Sequence, residues 1–436
     1  MKNPTISIVS LGCPKNLADM EAVLARISNA DLVNEKDAEY VFLNTCGFLK
    51  AARDEVFENI EKLAHKKIIV LGCLAGKFKE SDFKKYPQIY GIVTSSNYQN
   101  IQKIFTRIVH GEKVLAASKE PTTFETFAGK SLLTPRSYAY VKIAEGCDNR
   151  CSYCYIPYLK GKYRSRKMPE ILREIKDLIT MGVKEIILVA QDCGCYGKDL
   201  YGENRLYLLL KKIAEIKGNF WIRVLYVYPE RIDEKLLNVI ASSEKICKYL
   251  DIPLQHGDKE ILRKMARPND PPKIIEKIKI IRKKIPGITL RTSIIVGFPG
   301  ETNESFKNLI KFMKGIKFDN LGVFEYSREP HTPAYSFTKQ VPEKIKHLRR
   351  EKAMMIQQKI SLEKNKEFIG ETIKVLIEKH DPHAGLYVGR AERYSPDIDG
   401  EVIIKSDRTV KLNNFHNVEI TSAKEYDLIG KIIYTQ

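Results

Sequence analysis

The chain has no run of about 18 apolar residues, the length that a membrane-spanning helix needs. Its first residues, Met1-Lys-Asn-Pro-Thr5, pass straight into a strand-like segment. Neither a membrane span nor a signal peptide is expected, and the chain reads as cytoplasmic. An even cysteine count is also missing, since there are nine. An odd number without an export signal argues against a disulfide framework and for thiolates kept reduced as metal ligands. Histidine is scarce, with eight in 436 residues. None lies near the densest cysteine group, which disfavours a zinc site completed by histidine.

The composition is that of a globular protein, 43% hydrophobic and 29% charged, and the length suggests two or three domains. A net charge of +19 points to a polyanionic partner such as RNA or a ribosomal particle. The charge is uneven. Lys plus Arg against Asp plus Glu runs 18 to 15 over residues 1–130, 45 to 27 over 131–365 and 10 to 12 over 366–436.

The densest cysteine group is Ala144-Glu-Gly-Cys147-Asp-Asn-Arg-Cys151-Ser-Tyr-Cys154-Tyr155. A C-x3-C-x2-C loop offers three thiolates to a cluster that takes four, leaving one iron open to a small molecule. The alternatives are a zinc knuckle short of a ligand or three reduced core cysteines. Zinc loops favour a C-x2-C pair answered by a second pair or by histidines. The spacing resembles the loop of radical S-adenosylmethionine (SAM) enzymes, in which the SAM amino and carboxylate groups occupy that iron.

Strand-like runs at Ile6–Leu11, Tyr40–Asn44, Ile68–Leu71 and Ile89–Thr94 alternate with helical stretches at Leu17–Ser28 and Lys50–Ala64. This is the pattern of an α/β, doubly wound parallel sheet. The first three strands each lead into a cysteine, at Cys13, Cys46 and Cys73. Parallel strands end on one edge, so the three should converge in a second metal site. Glycines 12, 47 and 72 beside them would let backbone approach a cofactor. The competing reading is three ordinary buried cysteines.

Residues 112–137 read as a linker. Six further strands follow, at Tyr138–Ala144, Lys184–Ala190, Phe220–Val227, Tyr249–Leu254, Thr289–Val296 and Leu321–Tyr326, with helices between them. They predict a partial (β/α) barrel over 138–365, with function at the C-terminal strand ends. The cysteine loop follows the first of these strands. After a lysine-rich helical stretch at Pro342–Phe368, short strands over 366–436 predict a small antiparallel β-barrel. The sheet domain occupies 1–111.

At the barrel mouth a bound SAM needs further contacts. Gln191 and Asp192 end one strand, and Arg291 is placed to pair with the SAM carboxylate. Gly297 and Gly300 would let backbone approach the nucleoside, and Tyr326-Ser327 forms another polar strand end. Tyr153 is expected to shield the cluster or touch the nucleoside. Cys193 and Cys195 read as turn residues with a possible ligand role, Cys247 as a core cysteine, and His256 and His331 as structural histidines.

The motifs Ser10-Leu-Gly-Cys13-Pro-Lys-Asn16, Asn44-Thr-Cys46-Gly-Phe48, Ala144-Glu-Gly-Cys147, Tyr163-Arg-Ser-Arg166, Leu250-Asp-Ile-Pro-Leu-Gln-His256 and Val296-Gly-Phe-Pro-Gly-Glu301 resemble the methylthiotransferase family of radical SAM enzymes over essentially the whole chain. The first, second and fifth resemble the branch that modifies a ribosomal protein. The branch that modifies tRNA adenosine usually shows Gly-Cys-Gln-Met-Asn at the first cysteine. The resemblance implies two 4Fe-4S clusters, one on Cys147, Cys151 and Cys154 and one on Cys13, Cys46 and Cys73. It implies a C-terminal TRAM barrel and methylthio transfer to the β-carbon of an aspartate in small-subunit ribosomal protein S-twelve. One SAM would supply the methyl and another the radical, with an external electron donor. A barrel that grips tRNA should be basic, so the slightly acidic C-terminal segment argues against direct tRNA binding. Two residues depart from the family pattern: Cys193-Gly-Cys195 stands where threonine-like residues are usual, and His331 where glycine is. The alternatives are a tRNA adenosine methylthiotransferase and a metal-stabilised RNA-binding factor on a degenerate barrel.

Overall fold

The computed structural model describes residues 3–117, 131–406 and 408–434. The chain forms two compact units: Met1–Leu133 with Glu145–Asp148 and Tyr155–Arg166, and Thr134–Ala144 with Asn149–Cys154 and Lys167–Gln436. Both segments flanking the central cysteine loop are therefore counted with the N-terminal sheet.

In the first unit, β1 (Thr5–Ser10), β2 (Asp31–Leu32), β3 (Tyr40–Thr45), β4 (Lys67–Gly72), β5 (Ile89–Val93) and β6 (Val114–Ala116) lie in the order β2-β1-β3-β4-β5-β6. Every pair is parallel. Tyr40 and Phe42 pack with Met20, Ile101 and Phe105 on one face, while Val41 and Leu43 pack with Val56 and Ile60 on the other. Helices on both faces of a parallel sheet produce this double burial. β6 falls inside the stretch expected as linker. Val114 is buried and the Thr94 amide donates to the Ala116 carbonyl at 3.1 Å, so a three-residue apolar run joins the sheet edge. Residues 118–130 of that stretch lie outside the described residues.

The second unit begins with β7 (Tyr138–Lys142). It is followed by β8 (Ala144–Glu145) and β9 (Arg164–Ser165), a short ladder whose residues mostly belong to the first unit. Then come β10 (Glu185–Val189), β11 (Trp221–Val224), β12 (Tyr249–Asp251), β13 (Thr289–Val296) and β14 (Asn320–Glu325). Two parallel sheets, β11-β10-β7 and β12-β13-β14, are linked by a bridge between Ile222 and Ile246. All six expected strands are present in an open partial barrel.

β15 (Thr372–Asp381), β16 (Leu386–Ala391), β17 (Val402–Lys405), β18 (Asn414–Ala423) and β19 (Leu428–Ile432) close into a barrel in the order β15-β16-β17-β19-β18. The barrel is not wholly antiparallel, because β17 and β19 run parallel. Five strands that alternate in direction cannot close without one parallel pair. This barrel packs into one unit with the larger one through buried charge. Glu185 on β10 meets Arg223 of β11 at 2.5 Å and Arg390 of β16 at 2.6 Å, and Arg390 also meets Glu378 at 2.7 Å. Tyr138 donates to Asp397 at 3.1 Å and Tyr249 to Asp399 at 2.7 Å.

Candidate active site

Cys13, Cys46 and Cys73 follow the C-terminal ends of β1, β3 and β4, three neighbouring strands. Cys13 is the N-cap of the helix Pro14–Leu24, whose proline stands in the first turn, where its missing N–H costs nothing. That first turn aims Asn16 back at the cysteines. Asn16 Oδ1 accepts from the Cys13 thiol at 3.8 Å and from the Cys73 thiol at 3.5 Å. Asn16 Nδ2 donates to the Thr45 carbonyl at 3.0 Å, and Asn44 Nδ2 donates to the Asn16 carbonyl at 2.9 Å. One asparagine thus ties the three cysteine turns together.

The glycines beside these cysteines face protein and not an open space. A Cβ on Gly12 would lie 2.7 Å from Asn16 Nδ2, one on Gly47 3.1 Å from the Cys73 backbone, and one on Gly72, at φ +88°, 2.4 Å from the Thr45 carbonyl. They let the turns approach one another, which corrects the expectation that they make room for a cofactor.

Burial pushes the Cys46 thiol up to about 11, with the nearby Cys73 and Cys13 sulfurs adding to the rise. Burial raises the Cys73 thiol as well. Cys13 is different: burial opposes ionisation, but the Lys15 ammonium and the backbone amides of Asn16 and Lys15 bring its pKa below the ordinary value. One sulfur is favoured as thiolate and the others ionise at the cost of proton release, as ligands to a metal do. Among the described residues no three His, Cys, Asp or Glu groups are gathered to hold a single metal ion. A four-iron cluster takes each thiolate on a different iron, so its ligands stand wider apart than those of one ion. Three sulfurs on adjacent strand ends, two sharing one amide oxygen, fit such a cluster.

The central loop is pinned at both ends. In the first unit Gly146 takes φ +81°, the Cys147 amide donates to the Gly161 carbonyl at 3.1 Å, and Asp148 accepts from the Tyr163 amide at 3.0 Å. In the second unit the Ser152 amide donates to the Met265 carbonyl at 3.0 Å and its hydroxyl to the Lys264 carbonyl at 2.7 Å. Cys151 is buried, with Tyr228 Oη and Arg267 Nη1 each 3.7 Å from its sulfur. The Arg267 guanidinium lies 3.9 Å from the centre of the Tyr228 ring and donates to the Pro253 carbonyl. A cation held on a cluster sulfur favours the reduced, more negative state. Arg267 and Tyr228 carry no cysteine-like signal in the sequence and were not among the expected site residues.

Tyr153 packs against the Ile261, Met265 and Phe298 cluster, and burial next to Cys151 raises its phenol pKa well above the ordinary value. Gln191 stands two residues beyond β10 with its side-chain oxygen buried and without a hydrogen-bond partner among the described residues, which suits a donor on a bound ligand. Asp192 is fully buried and committed. Its oxygens accept from the Gly194 amide at 3.1 Å, Cys195 Sγ at 3.2 Å and Asn149 Nδ2 at 3.3 Å, with Arg231 Nε at 3.6 Å. It shapes the turn that follows β10, in place of the expected SAM contact.

Arg291 is a second correction. It sits in the first half of β13, away from the strand's C-terminal end, and its guanidinium is paired with Asp251 at 3.1 Å and Asp399 at 3.3 Å. Those carboxylates occupy the charge that was expected to meet SAM. Gly297 is a third. Its φ is +72° and a Cβ would stand 2.2 Å from Lys346 Cγ, so the space beside it holds a lysine stem and not a nucleoside. Glu301 secures that turn, accepting from the Gly297 amide at 2.7 Å while Arg349 binds its other oxygen at 3.0 Å.

His256 is buried, accepts from the Asp258 amide at 3.0 Å and lies 3.5 Å from Glu301, a structural role. His331 is exposed at φ +68°. Cys195 donates to Asp192, and burial together with that carboxylate pushes its thiol up to about 12. Cys193 is buried and donates to the Leu188 carbonyl at 3.7 Å, and Cys247 is buried beside Arg223.

Three family profiles match the chain: "Uncharacterized protein family UPF0004" over residues 5–94, "Radical SAM superfamily" over 141–313 and "TRAM domain" over 369–433. The chain is 44% identical to the ribosomal protein uS12 methylthiotransferase RimO of Pelotomaculum thermopropionicum, an alignment covering 98% of this chain and 99% of that one. It is 43% identical to the protein of the same name from Clostridioides difficile, again over 98% and 99%. Among solved structures, the radical S-adenosylmethionine methyltransferase TsrM from Kitasatospora setae, bound to tryptophan and a SAM analogue, aligns with a TM-score of 0.55 at 14% identity. The alignment covers 86% of this chain and 79% of that one, a likeness of fold. No helix among the described residues is long and apolar enough to cross a membrane. The chain belongs to the uS12 methylthiotransferase family of radical SAM enzymes.

Proposed function

We propose that this enzyme places a methylthio group on the β-carbon of an aspartate in ribosomal protein uS12, with one SAM as methyl donor and another as radical source. The observation that carries the reading is the likeness to uS12 methylthiotransferases along 98% of the chain, joined to two three-cysteine groups in separate structural settings. Cys147, Cys151 and Cys154 would hold one 4Fe-4S cluster, and Cys13, Cys46 and Cys73 a second. When bound, such clusters supply the electron that cleaves SAM to a carbon radical and the sulfur that the substrate carbon receives.

The chain's own groups prepare both steps. Ser152 fixes the loop against Lys264 and Met265, so Cys151 keeps its place beside Arg267. Gln191, just beyond the end of β10, offers an acceptor with no hydrogen-bond partner among the described residues, on the side where function collects in such folds. Asn16 holds Cys13 and Cys73 at a fixed spacing.

The small ribosomal subunit is the proposed docking partner. Residues 271–366 hold 21 Lys plus Arg against 9 Asp plus Glu. Their helices Pro271–Lys284, Asn303–Ile316 and Glu343–Lys366 are laced side by side. Arg282 donates to the Ile316 carbonyl at 2.6 Å, Lys317 pairs with Glu363 at 2.9 Å and Arg349 with Asn303 at 3.0 Å. A basic helical face supports contact with ribosomal RNA phosphates, while the slightly acidic C-terminal barrel suits a basic protein target.

The test is mass spectrometry on a strain from which this enzyme is deleted. Its uS12 should lose the methylthio mass with tRNA nucleosides unchanged. Intact uS12 modification together with loss of methylthio-adenosines in tRNA would establish the tRNA reading instead.

A further inference from the structure

Lys160 closes the five-residue helix Ile156–Lys160, six positions beyond Cys154. In a lysine-rich chain it reads as one more solvated side chain, yet it is only 8% exposed. Its ammonium lies 2.7 Å from Glu145 Oε1 and 4.0 Å from Asp19 Oδ2, and those carboxylates are 1% and 6% exposed. All three residues belong to the first unit. Burying an ammonium and two carboxylates is unfavourable unless they pair, so the three side chains depend on one another for their places.

The position of each partner is telling. Glu145 is two residues before Cys147, and Asp19 is on the helix that Cys13 caps. Lys160 lies on the exit side of the same cysteine loop. One ammonium therefore fastens both flanks of that loop to the helix that opens at the first strand-end cysteine. Burial opposes the charge on Lys160, but the Cys73 sulfur together with Glu145 and Asp19 holds its pKa well above the ordinary lysine value. With one cation between two carboxylates the trio is net negative, and Lys160 is its one positive member.

We infer that Lys160, held by Glu145 and Asp19, is a positioning residue for the Cys13, Cys46 and Cys73 site, tying the Glu145 and Lys160 segments to the helix that Cys13 caps and setting the potential of the cluster bound there. This inference rests on the second-cluster reading above. Removing the ammonium takes a positive charge from beside two buried carboxylates, and a more negative surrounding makes a nearby cluster harder to reduce.

The test uses full-length protein in two backgrounds, one with Cys147, Cys151 and Cys154 changed to Ala and one with Cys13, Cys46 and Cys73 changed to Ala. Each is reconstituted anaerobically, assayed for iron and sulfide, and titrated potentiometrically with EPR detection. In the first background Lys160→Met should move the midpoint to more negative potential and lower iron retention, while Lys160→Arg stays near the parent. The double variant Lys160→Met/Glu145→Gln removes one negative charge along with the ammonium, guards against failed folding, and should return the midpoint part of the way. In the second background Lys160→Met should leave the midpoint unchanged. A first-background cluster whose midpoint and iron content ignore all three variants overturns the inference alone. A first background that binds no cluster before Lys160 is touched overturns the second-cluster reading, and this inference with it.

Discussion

Arg291 on β13 pairs at once with Asp251 on β12, at 3.1 Å, and with Asp399 of the C-terminal barrel, at 3.3 Å. The partial barrel and the small barrel are thereby joined through a charge that is almost wholly buried. Arg291→Met should lower stability by about 3–5 kcal/mol, the usual result of leaving buried carboxylates unpaired. Denaturant unfolding measures that loss. SAM affinity of the folded variant, measured by calorimetry, should equal that of the parent.

Glu185 lies between Arg223 and Arg390 with no exposed side-chain surface. Burial alone would raise its pKa, but the two guanidinium groups outweigh burial and hold it below the ordinary glutamate value. A carboxyl depressed in the folded state contributes stability that is present above its unfolded pKa and is lost as pH falls through the folded one. Unfolding free energy followed by denaturant should therefore decline on acidification below the ordinary glutamate range. Glu185→Gln should be weaker at neutral pH by about 3–5 kcal/mol and should lack that part of the acid-side decline.

Gly297 stands at φ +72° with Lys346 Cγ 2.2 Å from where a Cβ would be. Gly297→Ala should cost about 1–2 kcal/mol through the left-handed backbone alone, plus the displacement of Lys346. Combining it with Lys346→Ala should recover the second part and leave the first, which thermal unfolding of the three variants resolves.

The basic face of residues 271–366 predicts salt-sensitive docking. Binding to purified small subunits, measured by sedimentation, should weaken steeply as salt rises. Changing Lys311, Lys314, Lys352 and Lys359 to Gln should flatten that dependence. Methylthio transfer to free uS12 should be unaffected by the same changes.

The strand-end cysteines were legible because parallel strands share a direction, so Cys13, Cys46 and Cys73 had to reach one edge, and β1, β3 and β4 are indeed neighbours. The six barrel strands were legible from their length and apolar content. Arg291 was misread because its partner Asp399 is 108 residues away, and a strand's sequence shows what precedes a residue but not what faces it. Gly297 was misread for a related reason, since the side chain that needs its space, Lys346, belongs to a distant helix. β6 was missed because three residues in a charged stretch carry too little pattern. Lys160 and Arg267 were invisible as site residues: among 73 basic side chains, their burial beside the cysteine loop is a property of the fold and leaves no mark in the sequence.

The most direct test is the mass of uS12 after anaerobic incubation with the reconstituted enzyme, a low-potential reductant and SAM carrying a deuterated methyl group. The account predicts one methylthio group, bearing the deuterated methyl, on the β-carbon of a single aspartate, with 5'-deoxyadenosine formed alongside it. Unmodified uS12 in a reaction that still cleaves SAM to 5'-deoxyadenosine would contradict it.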